Sequence, residues 1–149
     1  MNRNNLVKIT IIGDIMLDHT QIPLCFEHGF DIPFSQLSEE FSDSDLVVGN
    51  LETPLSRKKD NYSDRQYLFC APEDFAVAIK KAIPNLLLLT ANNHCLDKGL
   101  EVLKETVSIL DDLKIPHTGT NAINKNEYFK TRIKGINISV LNYTYGTNA

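Results

Sequence analysis

Asn92, Asn93, His94 and Asp97 bring two amides, an imidazole and a carboxylate into six consecutive positions. Mixed oxygen and nitrogen donors of this kind are what a divalent cation or a phosphate-like anion needs. Two further places carry comparable groups: Gly13-Asp14, and Gly49-Asn50-Leu51-Glu52. Each of the three follows an apolar run, at residues 6–12, 45–50 and 86–89, and the last of these is four consecutive leucines. Such runs suit strands buried on both faces of a helix-covered parallel sheet. In open sheets of that kind ligands bind beyond the carboxyl ends of the strands. If the three strands are neighbours, Asp14, Asn50, Glu52, Asn93 and His94 converge on one site able to take one or two cations. Paired metals, typically ~3.5–4 Å apart, clamp the attacking and leaving oxygens of a displacement. The plainer reading is that Asp14, Asn50 and Asp97 close turns, with Asp97 placed to cap the helix that follows.

The remaining elements must hold those strand ends in place. Residues 18–34 mix Pro23, Gly29 and Pro33 with aromatics and show no period, which predicts a long loop. Residues 35–41 predict a short helix capped by Ser35, with Leu37 and Phe41 on one side. The polar stretch 56–66 reads as a solvated loop. Pro72, Glu73 and Asp74 then open a helix whose stripe is Phe75, Ala78, Ile79 and Ala82. A second helix, after Asp97, carries Leu100, Leu103, Val107, Leu110 and Leu113 at helical spacing. Residues 115–119 predict a short strand or turn, and 128–133 with 136–143 a hairpin closed near Lys134-Gly135. The whole is an α/β layered fold ending in antiparallel strands.

The chain has 149 residues, one domain's worth, with 42% hydrophobic and 23% charged residues, enough for a packed core. Fifteen basic against nineteen acidic residues leave a net charge of −4, which argues against a general nucleic-acid or anionic-membrane surface. Cys25, Cys70 and Cys95 are too few and scattered for a disulfide framework, and Cys95 reads as a small buried residue in a helix's first turn. Neither an apolar leader nor a run of ~18 apolar residues occurs, so the expectation is a soluble, cytoplasmic protein without a membrane span. Of the other histidines, His19 and His28 read as loop residues. His117, at a strand end, is a candidate outer partner of the site alongside Asn50, Asn92 and Asp97. Serine-hydrolase elbows, P-loops and dinucleotide fingerprints do not occur.

Gly13-Asp-Ile-Met-Leu17, Gly49-Asn-Leu-Glu-Thr-Pro-Leu55 and Ala91-Asn-Asn-His-Cys-Leu-Asp-Lys-Gly99 together resemble the CapA-like bacterial capsule-synthesis family of poly-γ-glutamate production. His117-Thr-Gly-Thr-Asn121 and Leu141-Asn-Tyr-Thr-Tyr-Gly-Thr-Asn148 fit the same pattern. The resemblance implies a layered α/β/β/α sandwich of the calcineurin-like metallophosphoesterase type. It also implies that Asp14, Glu52, Asn93 and His94 face a divalent metal (Mn²⁺, Zn²⁺ or Mg²⁺), with His94 and Asn93 as the catalytic pair. Two departures from the broader superfamily stand out: Met16 sits where a His is usual, and the second motif reads Gly-Asn-Leu-Glu instead of Gly-Asp-x-x-Asp. Members of the family usually continue for another hundred residues or more, with further His motifs, so residues 1–149 read as the N-terminal part of a single, truncated domain. The implied activity is metal-assisted hydrolysis or transfer on an anionic polymer or small molecule, with cell-envelope association allowed. The alternative is a polymer-binding or assembly protein that keeps the polar pocket without turnover. An unfinished second sheet would favour self-association near residues 136–143.

Overall fold

The computed structural model describes residues 6–37, 39–120 and 128–148. Four parallel strands form the central sheet. They are β1 (Ile9–Ile15), β2 (Leu46–Leu51), β5 (Leu86–Leu89) and β6 (His117–Thr118), in the spatial order β1-β2-β5-β6. Two short strands, β3 (Leu55–Ser56) and β4 (Ala71–Pro72), pair in parallel beside it. An antiparallel hairpin, β7 (Phe129–Ile133) and β8 (Ile136–Val140), turns at Lys134-Gly135 as the sequence predicts. The helices are α1 (Gln21–His28), α2 (Glu73–Ala82) and α3 (Gly99–Asp112). Among the described residues no helix is long and apolar enough to cross a membrane.

Strand alternation explains the layers. Val47, Leu51, Leu86 and Leu88 point to one face and join Phe75, Ile79, Ile109 and Leu110 in the main core. Leu46, Val48, Leu87 and Leu89 point to the other and meet Phe129, Ile133 and Val140 of the hairpin. The four-leucine run therefore serves both faces, which is why it shows no alternation. The result is a mixed α/β fold with helices on one side of a parallel sheet and a hairpin on the other.

Several expectations are corrected. Residues 18–34 are not a loop, because they contain α1 and a 3₁₀ turn at Ile32–Phe34. Pro23 lies in the first turn of α1, where its missing N–H costs nothing. Asp18 and Gln21 form a reciprocal cap: the Asp18 carboxylate accepts from the Gln21 N–H at 3.1 Å, and the Gln21 side chain accepts from the Asp18 N–H at 3.0 Å. Conversely, the helix expected over 35–41 is replaced by turns, with Ser35 donating back to the Ile32 carbonyl instead of capping forward; Ser38 lies outside the described residues. Ser56 is fully buried in β3, not solvated, and Leu100 of α3 is exposed while Val102, Thr106 and Ile109 join the buried side. Cys95 is half-buried and precedes α3. Asn121, at the end of the fourth quoted motif, falls outside the described residues.

On the hairpin side of the sheet, none of the described residues forms a layer over β1. Ile11 is 78% and Ile9 43% exposed, and Ile136, Leu141 and Tyr143 are exposed beyond it. An apolar edge of this kind recruits other strands. The 149-residue chain is expected to self-associate with rising concentration. Sedimentation should show a weight-average mass above the monomer's, and a monomer throughout the concentration range would refute this.

Candidate functional site

Asp14 reaches the site through an irregularity. Ile11 pairs with Val48, but Asp14, three residues on, pairs with Asn50, two residues on. One extra residue in β1 thus bulges at Ile12-Gly13 and shifts Asp14 opposite Asn50. Gly49 makes room on the core side, since a Cβ there would lie 2.6 Å from Ile15 Cδ1 and 3.0 Å from Ile12 Cγ1.

From Asp14 a chain of side-chain amides runs across the strand ends. The Asn50 amide donates to Asp14 Oδ1 at 2.8 Å, and its oxygen accepts from the Asn92 amide at 3.1 Å. Asn92 Nδ2 also donates to the Leu51 carbonyl at 2.8 Å, and Asn92 Oδ1 accepts the His94 N–H at 3.0 Å. That last bond closes an Asx turn, which bends the chain immediately after β5 and aims His94 at the site. Asn92 is buried and its amide is fully engaged, so it is a brace and not a free ligand. Asn93 is exposed, and its carbonyl takes the Asn148 N–H at 2.8 Å.

His94 is buried, with its ring 4.3 Å from that of Phe69 between centroids. Its Nδ1 lies 2.7 Å from Asp97 Oδ2, which also accepts the Phe69 N–H at 2.8 Å. The Asp97 side chain is wholly buried. A carboxylate that receives both N–H groups fixes the ring with Nε2 carrying the lone pair. Asp97 is therefore not the cap of α3, which begins at Gly99 with no side-chain cap. The burial of a carboxylate between a ring and a main-chain N–H outweighs capping here, and the His94-x-x-Asp97 spacing was the signal for it.

Glu52 completes the group. Burial, followed by the hydrogen bond and the charge of Asp14, pushes the Glu52 carboxyl above its ordinary range, while His94 pulls it down. A carboxyl raised in the folded state binds more protons there than in the unfolded chain, so stability falls as pH climbs from about 4.3 through the raised value. Glu52→Gln should flatten that slope. Thermal melts between pH 4 and 7 test this, and parallel curves for the two proteins would show that Glu52 does not titrate as described.

The structure thus brings Asp14, Asn50, Glu52, Asn92, His94 and Asp97 together, with Asn93 on the rim. It does not bring His117, whose Nδ1 lies 3.0 Å from the Ile115 carbonyl and whose Nε2 lies 3.9 Å from Asp111. Sequence reasoning missed Phe69, and it did not foresee how the final segment locks the loop. Asn142 pairs with Ala91 like a strand, accepting its N–H at 2.6 Å and donating to its carbonyl at 3.2 Å. Gly119, at φ +121°, permits this approach: a Cβ would collide with Asn142 Oδ1 and lie 2.6 Å from the Ala91 nitrogen. Asn148 Nδ2 sits 3.1 Å from His94 Nδ1.

This construction, three strand ends and a braced Asn-Asn-His loop, occurs in a chain whose residues 8–149 match the model of the bacterial capsule synthesis protein PGA_cap. The chain belongs to that family. It is 29% identical over 146 residues to the capsule biosynthesis protein CapA of Bacillus anthracis, covering 95% of this chain and 35% of the relative. It is 25% identical over 146 residues to the PGA biosynthesis protein CapA of Bacillus subtilis strain 168, covering 95% and 38%. The chain therefore spans little more than a third of the length of these PGA_cap relatives.

As a metal site the cluster is sparse. Among the described residues no group of three or more His, Cys, Asp or Glu side chains is disposed to hold a metal ion. What remains is a carboxylate pair, Asp14 and Glu52, and one imidazole held by a carboxylate from behind. Two carboxyls in contact suit a hard cation such as Mg²⁺ or Mn²⁺ better than Zn²⁺, whose sites rely on more imidazole or thiolate.

Proposed function

We propose that this PGA_cap chain carries part of a metal-assisted hydrolase or transferase site acting on an anionic substrate in capsule or poly-γ-glutamate synthesis. The observation that carries the reading is the His94–Asp97 pair at 2.7 Å beside the raised Glu52 carboxyl. An imidazole oriented by a buried carboxylate is the usual arrangement of both a metal ligand and a general acid–base group. Asp14 and Glu52 would hold the cation, whose chemistry when bound is to polarise the substrate's oxygen and to acidify water. Asn93, on the rim, would orient an anionic oxygen by donating from its amide. His94, protonated on Nε2, would give that proton to the leaving group, with Asp97 stabilising the resulting ring tautomer. The amide relay from Asp14 to the His94 N–H fixes the distance between these two roles, so little reorganisation is needed on binding.

The non-catalytic alternative, a polymer-binding or assembly protein, draws support from the short ligand set and from Asp14 already being bonded to Asn50. A screen of phosphoesters and γ-glutamyl amides with the whole protein, with and without Mn²⁺, separates the two. Metal-dependent turnover supports the hydrolytic reading. Saturable polymer binding with no turnover on any substrate supports the alternative.

A further inference from the structure

A cavity of about 610 Å³ opens between β1, α1, the Ile32–Phe34 turn and α2. Its walls are apolar, including Ile12, Leu17, Phe34 and Phe75. Leu24, Ile32 and Leu37 also line it, although they are 56%, 51% and 39% exposed. Three large apolar side chains held in water around one opening are unusual for scattered surface residues. The polar groups are few, namely Asp14, Gln21 and His28. Size and lining match those of pockets that bury small ligands, at ~300–1,000 Å³ with a few placed polar groups. Asp14 belongs both to this cavity and to the amide relay, so the cavity and the polar cluster share the end of β1.

We infer that this cavity binds the hydrocarbon portion of an amphiphile whose polar end lies at Asp14. The hydrocarbon site stands on the cavity alone, and only the placing of the polar end rests on the function proposed above. The substrate class becomes an anionic group carried on an aliphatic chain, rather than a free polar polymer. A polymer without an apolar part has no use for a greasy wall beside its reacting group.

Uncharged n-alkanols from pentanol to decanol probe the cavity without involving the metal or the reaction. Calorimetry and amide chemical shifts should show saturable binding, tightening about fourfold per added methylene until the cavity is full and level thereafter. Shifts should be confined to the residues around α1 and β1. Leu24→Glu, at an exposed position, should weaken binding at least tenfold, and Cys25→Phe, which fills the space, should abolish it. If Cys25→Phe fails to fold, Leu24→Glu decides. Alkanol binding by a wild-type protein that turns over no substrate would retain the cavity and discard the catalytic reading. Non-saturable binding, or equal binding by Leu24→Glu, would overturn the inference. So would loss of binding in the whole protein, which would mean that a segment of chain fills the cavity.

Discussion

Asp97→Ala is expected to cost roughly 3 kcal/mol of stability, because it strands the buried Phe69 N–H and leaves the His94 ring without its orienting partner. Most substitutions of a half-buried residue before a helix cost far less, and a simple cap would cost about 1 kcal/mol. Asp97→Asn keeps one oxygen for both the Phe69 N–H and the His94 ring, but it replaces a carboxylate with a weaker neutral acceptor and turns its amide nitrogen toward Asn148 Nδ2. It should recover no more than half of the loss. Urea unfolding of the three proteins measures this. A loss near 1 kcal/mol for Asp97→Ala, fully restored by Asn, would return Asp97 to a capping role.

His94→Ala should divide its effects differently. In the whole protein, turnover should fall by roughly 10²–10⁴, the usual contribution of a positioned acid–base group. Stability should fall by about 2–3 kcal/mol, from the lost packing on Phe69 and from the buried Asp97 carboxylate losing one of its two N–H donors. Rates and melts on the same preparations test both halves. An unchanged rate would remove His94 from the chemistry. A rate loss that merely follows the unfolded fraction would make it a core residue.

The strand ends were legible in the sequence because burial on both faces writes itself as an uninterrupted apolar run that stops where the polar groups begin. Leu86–Leu89 and the Gly49-Asn50 junction are of this kind, and their parallel pairing follows. The hairpin was legible from its turn at Lys134-Gly135. α1 was not, because Pro23 and the surrounding aromatics hide the helical period, and its cap depends on a reciprocal Asp18–Gln21 exchange that precedes the helix. The site was legible in its members but not in its wiring. A one-residue bulge decides which residue of β1 faces Asn50, and no periodicity announces a bulge. The clamp from Asn142 to Ala91 joins residues 51 apart, and the Phe69 contact to His94 likewise depends on tertiary packing. Asp97 shows the opposite error: a local rule, capping, was available, but α3 starts one residue too late for it and tertiary burial uses the carboxylate elsewhere.

The central claim is that Asp14 and Glu52 form one cation-binding carboxylate pair beside His94, and calorimetric titration of the 149-residue chain with Mn²⁺ in two buffers of different ionisation enthalpy tests it most directly. With so few donors the affinity should be weak, on the order of 0.1–1 mM. Across the raised titration range of Glu52, binding should release protons, because the cation favours the ionised carboxylate over the protonated one. Glu52→Gln should remove that release, and Asp14→Asn should remove the binding. Sub-micromolar affinity, or binding that neither substitution changes, would contradict the account.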